Sequence, residues 1–413
     1  MEYDAVIVGG GVAGLACARV LEQSRRSYLL VEASDQLGGR IQTDIVDGFQ
    51  LDHGFQVLQT GYPDVGRFLD LDALQLRKFP AGVVVRFEGR FHTIADPRYH
   101  PRHVFSTIFS PVGTVRDRIA MLKLARQVGN LSFEEIFDQP EEKTSVYLQS
   151  FGFSSQFIQS FFVPFFAGAC LDRKITASSR VLKYVFRLFS MGDAALPSGG
   201  MGEIPRQLSS GAAAERILMQ RRVVAAGDGF VQLDNGEKVY GRKIVLATAE
   251  PVVKKLLNVS MGSRSVGESC VYFSASWKPP FSAPFLVLNG EGHGPVNNIA
   301  FPSMVAPRYA PSGKTLIAAV VLGDSVDRSD LETAVRHQCR EWFGSAVDDW
   351  EHIRTYRIEH ALPDQTPPTA NPYHEPQPLN SLIIHCGEYQ SLPGLQWALI
   401  SGERAGRRVQ SQM

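Results

Sequence analysis

The sequence predicts an α/β protein of two domains, one of which is a Rossmann-type domain with a parallel sheet flanked by helices. At 413 residues the chain is too long for one small domain. Short apolar runs of the kind that form buried parallel strands recur near the start, in the middle and near the end of the chain. They lie at residues 4–8, 28–31, 244–249 and 382–386.

The stretches between these runs predict a second, mixed α/β substrate domain that is built from two insertions. We place the sheet domain at residues 1–60, 198–265 and 373–413, and the second domain at residues 61–197 and 266–372.

The composition excludes several classes of protein. The 42 basic and 42 acidic side chains balance, so there is no electrostatic reason to expect a nucleic-acid partner. The five cysteines are scattered without a C-x-x-C pair, which predicts buried, reduced thiols and no metal site. No secretory signal precedes the first strand and no run of about 18 apolar residues occurs, so we expect a cytoplasmic protein.

The first apolar run leads directly into the sequence GGGVAG at residues 9–14, which contains the pattern G-x-G-x-x-G. Gly9 allows the tight turn, Gly11 lets the backbone approach a pyrophosphate, and Gly14 lets the next helix pack closely on the sheet. That helix, expected over residues 11–23, begins with free N–H groups directed at the phosphates. The pattern therefore predicts a dinucleotide site.

The second apolar run ends in Glu32, an acidic residue placed to accept hydrogen bonds from a ribose. Soon afterwards Gly38, Gly39 and Arg40 form another turn suited to phosphate, where the guanidinium can bind pyrophosphate through two hydrogen bonds. A nicotinamide dehydrogenase does not need this second turn. The pair of turns therefore favours FAD over NAD.

With these motifs the chain resembles the flavin amine oxidase superfamily, which includes monoamine and polyamine oxidases, protoporphyrinogen oxidase, and the phytoene desaturases with their carotenoid isomerase relatives. The resemblance implies an oxidoreductase that binds FAD noncovalently. It also implies further cofactor contacts: Gly54 and Phe55 beside the flavin ring, Val223 near the adenine, Gly387 and Glu388 at the ribityl–pyrophosphate region, and a helix start from Leu395 to Ala398 facing the flavin. A helix dipole at that place stabilises negative charge on reduced flavin.

The same match places Gln56 at the reaction cavity, with Tyr389 as the nearby aromatic candidate. Seven phenylalanines lie between residues 151 and 166, among them Phe157 and Phe161, and Pro164 interrupts any single straight helix. Two interpretations stay open for this stretch: ordinary core, or an apolar substrate wall that could also meet a membrane peripherally.

Residues 115–128 have helical spacing and predict an amphipathic helix. Its apolar face is formed by Ile119, Leu122, Ala125 and Val128.

The sequence departs from the superfamily at two places. Amine oxidases carry a lysine on a substrate-domain strand shortly before an aromatic-Lys-x-Pro stretch. Here Trp277 and Lys278 begin such a stretch, but the upstream residues 268–272 read ESCVY and include no lysine. In addition, Trp397 stands where the superfamily usually has glycine. Trp397 alters the expected geometry beside the flavin ring, and the missing lysine ranks a lysine-assisted amine oxidase below a desaturase- or isomerase-like enzyme.

We therefore favour a desaturase-like enzyme that dehydrogenates a small apolar organic substrate by hydride transfer to flavin N5. Its electron acceptor would be oxygen or a quinone, and no catalytic side chain is assigned. Three alternatives stay open: an amine or amino-acid oxidase, a non-redox flavin isomerase of a polyene, and a non-catalytic binder similar to the prenyl-protein escorts.

Overall fold

A computed structural model describes residues 2–95, 100–259, 265–323, 329–376 and 380–413. The strands are, in chain order, β1 (Glu2–Val8), β2 (Tyr28–Val31), β3 (Thr43–Val46), β4 (Phe49–Asp52), β5 (Leu58–Gln59), β6 (Arg77–Lys78), β7 (Gly82–Phe87), β8 (Arg90–Ala95), β9 (Ala194–Leu196), β10 (Ile217–Leu218), β11 (Val223–Gly227), β12 (Phe230–Leu233), β13 (Lys238–Leu246), β14 (Ser265–Ala275), β15 (Leu286–Asn289), β16 (Val296–Ala300), β17 (Thr315–Leu322), β18 (Glu351–Pro363) and β19 (Ile383–His385). The helices are α1 (Val12–Gln23), α2 (Val65–Phe68), α3 (Val104–Ile108), α4 (Val115–Gly129), α5 (Phe133–Asp138), α6 (Thr144–Phe151), α7 (Ser155–Phe157), α8 (Val163–Cys170), α9 (Ser179–Met191), α10 (Glu203–Ser209), α11 (Glu250–Leu257), α12 (Pro302–Val305), α13 (Leu331–Phe343) and α14 (Leu395–Ser411).

The first sheet has the order β10-β2-β1-β13-β12-β11, and β19 pairs with β13. The pairs β10–β2, β2–β1, β1–β13 and β13–β19 are parallel, whereas β12 is antiparallel to both β13 and β11. The apolar runs that we predicted as buried parallel strands all lie in this sheet. Their residues are apolar on both sides of the strand because both faces of the sheet are covered. The predicted α/β class is confirmed, and the residue boundaries of the two domains stay a prediction.

Helices α1 and α14 cross on one face of this sheet at very short range. A Cβ atom built on Gly402 of α14 would lie 2.0 Å from the carbonyl oxygen of Ala13 in α1. Only glycine allows this approach. The crossing therefore brings the last helix of the chain against the first helix, next to the glycine-rich turn.

The second sheet has the order β18-β14-β17-β16-β15-β7-β8 and is antiparallel except for the β15–β7 pair. From Glu268 to Ala275, strand β14 is buried throughout. One face of the sheet packs with Trp342 and Trp350 around α13, and the other face packs with Phe49 and Leu51 of β4. Strand β14 therefore lies between its own domain and the segment that follows β4.

Helix α4 forms as predicted, but its buried face differs from the predicted one. Ile119 and Leu122 are 49% and 72% exposed, whereas Ala120, Leu124 and Val128 are buried. The buried Asp117 explains this rotation, because its carboxylate accepts hydrogen bonds from both the backbone N–H and the hydroxyl of Ser154. Satisfying that carboxylate turns the predicted apolar face outward.

The phenylalanine-rich stretch is broken into short pieces, as Pro164 predicts. Helix α6 ends at Phe151, a π-helical turn spans Ile158–Phe162, and α8 begins at Val163.

All five cysteines are buried and free. No helix in the described part of the chain combines the length and hydrophobicity that a membrane-spanning segment needs. Within the same residues, no three His, Cys, Asp or Glu side chains form a group that could hold a metal ion.

Candidate functional site

The two glycine-rich turns of the N-terminal segment lie against each other. The backbone N–H of Gly38 donates to the carbonyl of Gly10 at 2.8 Å, and Gly11 forms an isolated parallel bridge with Gly38. A Cβ atom built on Gly39 would lie 3.3 Å from the Cα atom of Gly11. The two turns therefore present bare backbone to the same space, where an anionic group could be held.

Helix α1 starts at this space without a side-chain cap. Its N-cap residue is Gly11, no side chain bonds to the first turn, and residues Val12 to Leu15 are buried. Gly14 is required here, because a Cβ atom would lie 2.0 Å from the Gly9 carbonyl oxygen. A buried helix start without a cap leaves N–H groups and the positive end of the helix dipole available for a phosphate.

Glu32 is fixed beside the first turn. Its Oε2 accepts the backbone N–H of Gly10 at 2.7 Å, and its Oε1 accepts the N–H and the hydroxyl of Ser34, both at 2.8 Å. The N–H of Arg221 donates to the Glu32 carbonyl, which brings the start of β11 and the buried Val223 to the same end of the site.

An ion pair joins the two ends of the chain. A guanidinium nitrogen of Arg40 lies 2.5 Å from Oε1 of Glu388, and it also donates to the carbonyl of Ala361. The other carboxylate oxygen of Glu388 accepts the N–H of Gly394 at 2.8 Å. The Glu388 side chain is 7% exposed and that of Arg40 is 41% exposed, so this pair forms a charged, partly open edge next to Gly387.

Helix α14 starts at this edge and is also uncapped, with Gly394 as its N-cap residue. Leu395 is buried and Ala398 is half-buried at the helix start. Trp397 is turned away from the helix start, because its indole N–H donates to the hydroxyl of Tyr184 in α9 at 3.1 Å. The large side chain at a position usually occupied by glycine is thus accommodated in the helical layer.

Asp52 ties the segment after β4 to three other parts of the chain. Its carboxylate accepts hydrogen bonds from the hydroxyl of Thr43, the N–H of Met201 and the hydroxyl of Tyr309. Burial raises the pKa of Asp52 to about 6, although these three hydrogen bonds act in the opposite direction. Asp52 therefore holds the following turn, residues 53–56, against the second domain.

The turn at residues 53–56 lies between the Arg40 turn and β14. Gly54 is buried with φ +89°. The side-chain amide of Gln56 donates to the backbone carbonyls of Arg40 and His53 at 2.8 and 2.9 Å. Phe55 is half-buried and meets the ring of Phe79 edge-on. Gln56 thus binds backbone and fixes the turn next to Arg40.

The structure reveals a residue that we did not single out from the sequence, Glu268 on β14. Its side chain is buried, and none of the described residues forms a hydrogen bond or ion pair with its carboxyl group. Burial alone raises the pKa of Glu268 to about 8. A lone glutamate in a strand whose other residues are apolar or small is the signal that could have identified it.

The residues predicted to line the substrate cavity are not all brought together. Phe157 and Phe161 stack in the helical layer, with ring centroids 5.0 Å apart. Tyr389 packs with Val6 and Val8 in the apolar cluster on the face of the first sheet opposite α1 and α14. Its hydroxyl lies 3.4 Å from Nδ1 of His385. The contacts of the described residues therefore place Tyr389 apart from the two phenylalanines.

Comparisons with known proteins agree with this geometry. The model of the family described as flavin containing amine oxidoreductase matches residues 12–410. The chain is 38% identical over 65 residues to a pseudooxynicotine dehydrogenase from Pseudomonas sp. and 33% identical over 96 residues to a putrescine oxidase from Kocuria rosea. These stretches cover 16% and 22% of this chain, but only 13% and 20% of those two proteins.

The fold has a close structural match as well. A putative protoporphyrinogen oxidase from Exiguobacterium sp. 255-15 superposes with a TM-score of 0.73 at 17% identity, with 99% of each chain covered. At this identity the match shows the fold alone. The family match confirms the predicted resemblance, the FAD cofactor and the enzyme class. The chain belongs to the flavin-containing amine oxidoreductase family and is an FAD-dependent oxidoreductase.

Proposed function

We propose that this enzyme uses FAD to dehydrogenate a small apolar organic substrate. Bound FAD supplies a two-electron acceptor that takes up a hydride at N5. The observation that carries the proposal is the apolar packing that connects the row of phenylalanines to Phe55, the neighbour of Gly54. Ala167 of helix α8, which continues the row of phenylalanines, and Leu171 directly after this helix both pack in one cluster with Phe55.

The cofactor assignment rests on the contacts at the two chain ends. Glu32 would bind the ribose of the adenosine half, with Val223 beside the adenine. The pyrophosphate would lie between Gly11 and Gly39, close to the uncapped start of α1 and to Arg40. The flavin half would then extend past Glu388 toward Gly54 and the start of α14. Gly9, Gly14, Gly38 and Gly387 allow the close backbone approaches that this path requires.

The row of phenylalanine rings supports an apolar substrate. Neighbouring rings stack from Phe151 through Phe153, Phe157 and Phe161 to Phe165, with centroid distances between 5.0 and 5.9 Å. The row ends at Phe189, which is 44% exposed. Such a row offers dispersion contacts and no charge, which suits a polyene or another extended hydrocarbon.

The function is tested by mixing FAD-loaded protein, without oxygen, with compounds of two classes. The first class contains a long polyene and a porphyrinogen, and the second contains putrescine and cyclohexylamine. We expect the flavin absorbance to bleach with a member of the first class and to stay unchanged with the amines. Bleaching by the amines alone would establish the amine oxidase alternative. A polyene product of unchanged mass, formed without net bleaching, would establish the isomerase.

An exposed apolar surface on α3 and α4 supports a peripheral membrane site for this enzyme. Phe105, Phe109 and Leu122 are 75%, 76% and 72% exposed. The basic side chains exposed in the same stretch are Arg102, Arg116, Lys123 and Arg126. Its only acidic residue, Asp117, is fully buried. Exposed apolar side chains with exposed basic residues in the same stretch of the chain fit an anionic lipid surface, in which an apolar substrate would also dissolve.

Vesicle flotation tests this surface. We expect the protein to float with phosphatidylserine-containing vesicles and to float less with pure phosphatidylcholine or in high salt. The double variant Phe105→Ser/Phe109→Ser should lose this binding. Ile45→Ser is the control, because Ile45 is equally apolar and 69% exposed but lies on β3. Equal losses in both variants, or no flotation of the wild type, would contradict a membrane surface at α3 and α4.

A further inference from the structure

One face of β14 covers the turn at Gly54. Glu268, Cys270 and Tyr272 alternate along the strand and therefore point to the same side of the sheet. The hydroxyl of Tyr272 lies 3.0 Å from the carbonyl oxygen of Asp52 and 3.1 Å from that of Gly54. Glu268 thus belongs to the face of the second domain that touches the cofactor-side turn.

The carboxyl group of Glu268 lies directly over Gly54. A Cβ atom built on Gly54 would be 2.2 Å from Oε1 of Glu268 and 2.9 Å from Cδ1 of Ile358. Any side chain at residue 54 would therefore displace this carboxyl group. The glycine leaves the carboxyl group in contact with the turn while Ile358 closes one side.

The surroundings of Glu268 provide no partner. Its neighbours across the sheet are Leu322 on β17 and Ile358 on β18, both apolar. Cys270 on the same strand is the titratable neighbour that interacts with both Glu268 and Asp52, and the carboxylate of Asp52 already has three donors of its own. No described residue donates a hydrogen bond to a carboxyl group that is only 6% exposed. A carboxyl group buried in this way calls for a partner from outside the chain.

The other charged groups of this region are already engaged. Asp44 accepts hydrogen bonds from Tyr356 and Arg354 at 2.7 Å, and Nε2 of His53 lies 3.1 Å from Asp44. The burial of Glu268 therefore acts without a compensating charge, and it raises the pKa of Glu268 to about 8. Near neutral pH most of this group holds its proton, and a minor fraction is ionised.

The order of contacts along the site places Glu268 at the reacting end. Glu32 lies at one end, the paired turns at Gly11 and Gly39 come next, and the Arg40–Glu388 pair follows. Gln56 then links Arg40 to the turn that contains Gly54. A dinucleotide with its ribose at Glu32 and its pyrophosphate at the turns has its second half on the Gly54 side.

We propose that Glu268 is the proton-transferring residue of this site. This proposal rests on the proposed function. When the substrate is dehydrogenated, one C–H bond breaks with its electron pair, and that hydride passes to the flavin. A second C–H bond then gives its proton to the ionised carboxylate of Glu268, and the electrons of that bond form the new carbon–carbon double bond. The proton later leaves with the two electrons, when oxygen or a quinone is reduced.

A titration of bound FAD tests the placement of Glu268 without any substrate. Absorbance spectra of FAD-loaded protein are recorded from about pH 6 to about pH 10. We expect a spectral transition near pH 8 in the wild type, because ionisation of a carboxyl group beside the ring changes its electrostatic field. Glu268→Gln should keep FAD and lose the transition. Glu351→Gln should retain it, because Glu351 is exposed at the opposite end of the β14–β18 pair.

The outcomes separate this inference from the proposed function. An unchanged transition in Glu268→Gln, or no transition in the wild type, would overturn the placement of Glu268 while leaving the apolar substrate untouched. If Glu268→Gln does not retain FAD, the variant Glu268→Asp is used, because it keeps an acid. It should shift the midpoint pH of the spectral transition, and an unshifted midpoint overturns the placement.

With a substrate that bleaches the wild type, flavin reduction should be about 100-fold slower in Glu268→Gln, or slower still. A rate within threefold of the wild type would overturn proton transfer by Glu268. If no apolar compound bleaches the wild type, the proposed function fails, whatever the titration shows.

Discussion

The surroundings of Gly11 and those of Glu268 are both junctions between separate segments of the chain, yet different contacts hold them together. Around Gly11 the contacts are made by backbone: the Gly38 N–H, the start of α1 and the bare Cα atoms of Gly11 and Gly39. Around Glu268 they are made by side chains from three strands that are distant in sequence. A site made of backbone depends on glycines at fixed spacing, whereas a site made of side chains depends on the tertiary fold.

From this difference we expect FAD binding to be lost when a side chain is added to the glycine turns. Substrate turnover should be lost when side-chain atoms are removed from the second domain. Gly11→Val adds a side chain where the backbone allows it, since φ is −71° and the nearest atom to a Cβ is 3.9 Å away. We expect the variant to fold and to bind FAD about a thousandfold more weakly, which is a loss on the order of 4 kcal/mol in binding free energy. The FAD-to-protein ratio after dialysis measures this. Gly66→Val is the control, because a Cβ there has no neighbour within 4 Å. Stoichiometric FAD in Gly11→Val would contradict the assignment.

Phe157→Ser and Phe161→Ser test the substrate side by removing atoms. Phe157 is 7% exposed and packs against Gly113, so its loss should lower the free energy of unfolding by about 3 to 4 kcal/mol. Phe161 is half-buried in the same row, so its variant should stay folded and FAD-loaded while losing turnover of a long apolar substrate. Melting temperature is compared with rate, and Phe230→Ser in β12 gives the baseline. Activity that falls only in proportion to stability would mean that the row is ordinary core.

The sequence was enough to predict the helices, strands and turns that nearby residues determine. It was not enough to predict which face of a helix or strand is buried. Strands β1 and β2 and helix α1 follow from the local sequence pattern, and the structure has them where the sequence indicates. The rotation of α4 does not, because it depends on Asp117 meeting Ser154, a residue 37 positions away. Glu268 was missed for the same reason: the sequence shows a glutamate in an apolar strand, and only the fold shows that Gly54 lies beneath it.

Glu32→Ala sharpens the assignment of the adenosine end. It removes the acceptor for a ribose and should weaken FAD binding by about 1.5 to 3 kcal/mol, or roughly ten- to a hundredfold. Because the carboxylate also accepts the Gly10 N–H, Glu32→Gln separates the two effects by retaining one oxygen acceptor. Equilibrium titration with FAD measures the affinity, with the exposed Asp35→Ala as control. Equal affinities for all four proteins would contradict the ribose assignment.

The pH dependence of the free energy of unfolding tests whether Glu268 is protonated in the folded protein. Folding raises its pKa from an ordinary value of 4.5 to about 8, so the folded protein keeps a proton that the unfolded chain releases. This contribution to stability is complete below about pH 4.5 and is lost as the pH rises toward 8. Against Glu268→Gln, the wild type should lose on the order of 1 kcal/mol per pH unit in that window. Asp52, whose pKa is also raised, is present in both proteins and cancels. Parallel stability curves from chemical denaturation would show that Glu268 is not held neutral.

Lys278→Met has the smallest expected effect. Lys278 is exposed and follows Trp277, whose ring packs with Phe343 and Trp350 on the face of the second sheet turned away from Gly54. Flavin reduction by the substrate should stay within about threefold of the wild type, less than 1 kcal/mol of barrier. A hundredfold drop in a stopped-flow measurement would restore a lysine-assisted amine oxidase.

A crystal structure of the FAD-loaded protein would show directly whether Glu268 lies against the flavin. We expect the ribose at Glu32, the pyrophosphate between Gly11 and Gly39, and a carboxyl oxygen of Glu268 within about 3.5 Å of the flavin ring or of a ligand bound against it. A flavin ring separated from Glu268 by protein side chains, with the carboxyl group still unpartnered, would contradict the role of Glu268. A ring placed away from Gly54 would contradict the whole arrangement of the site.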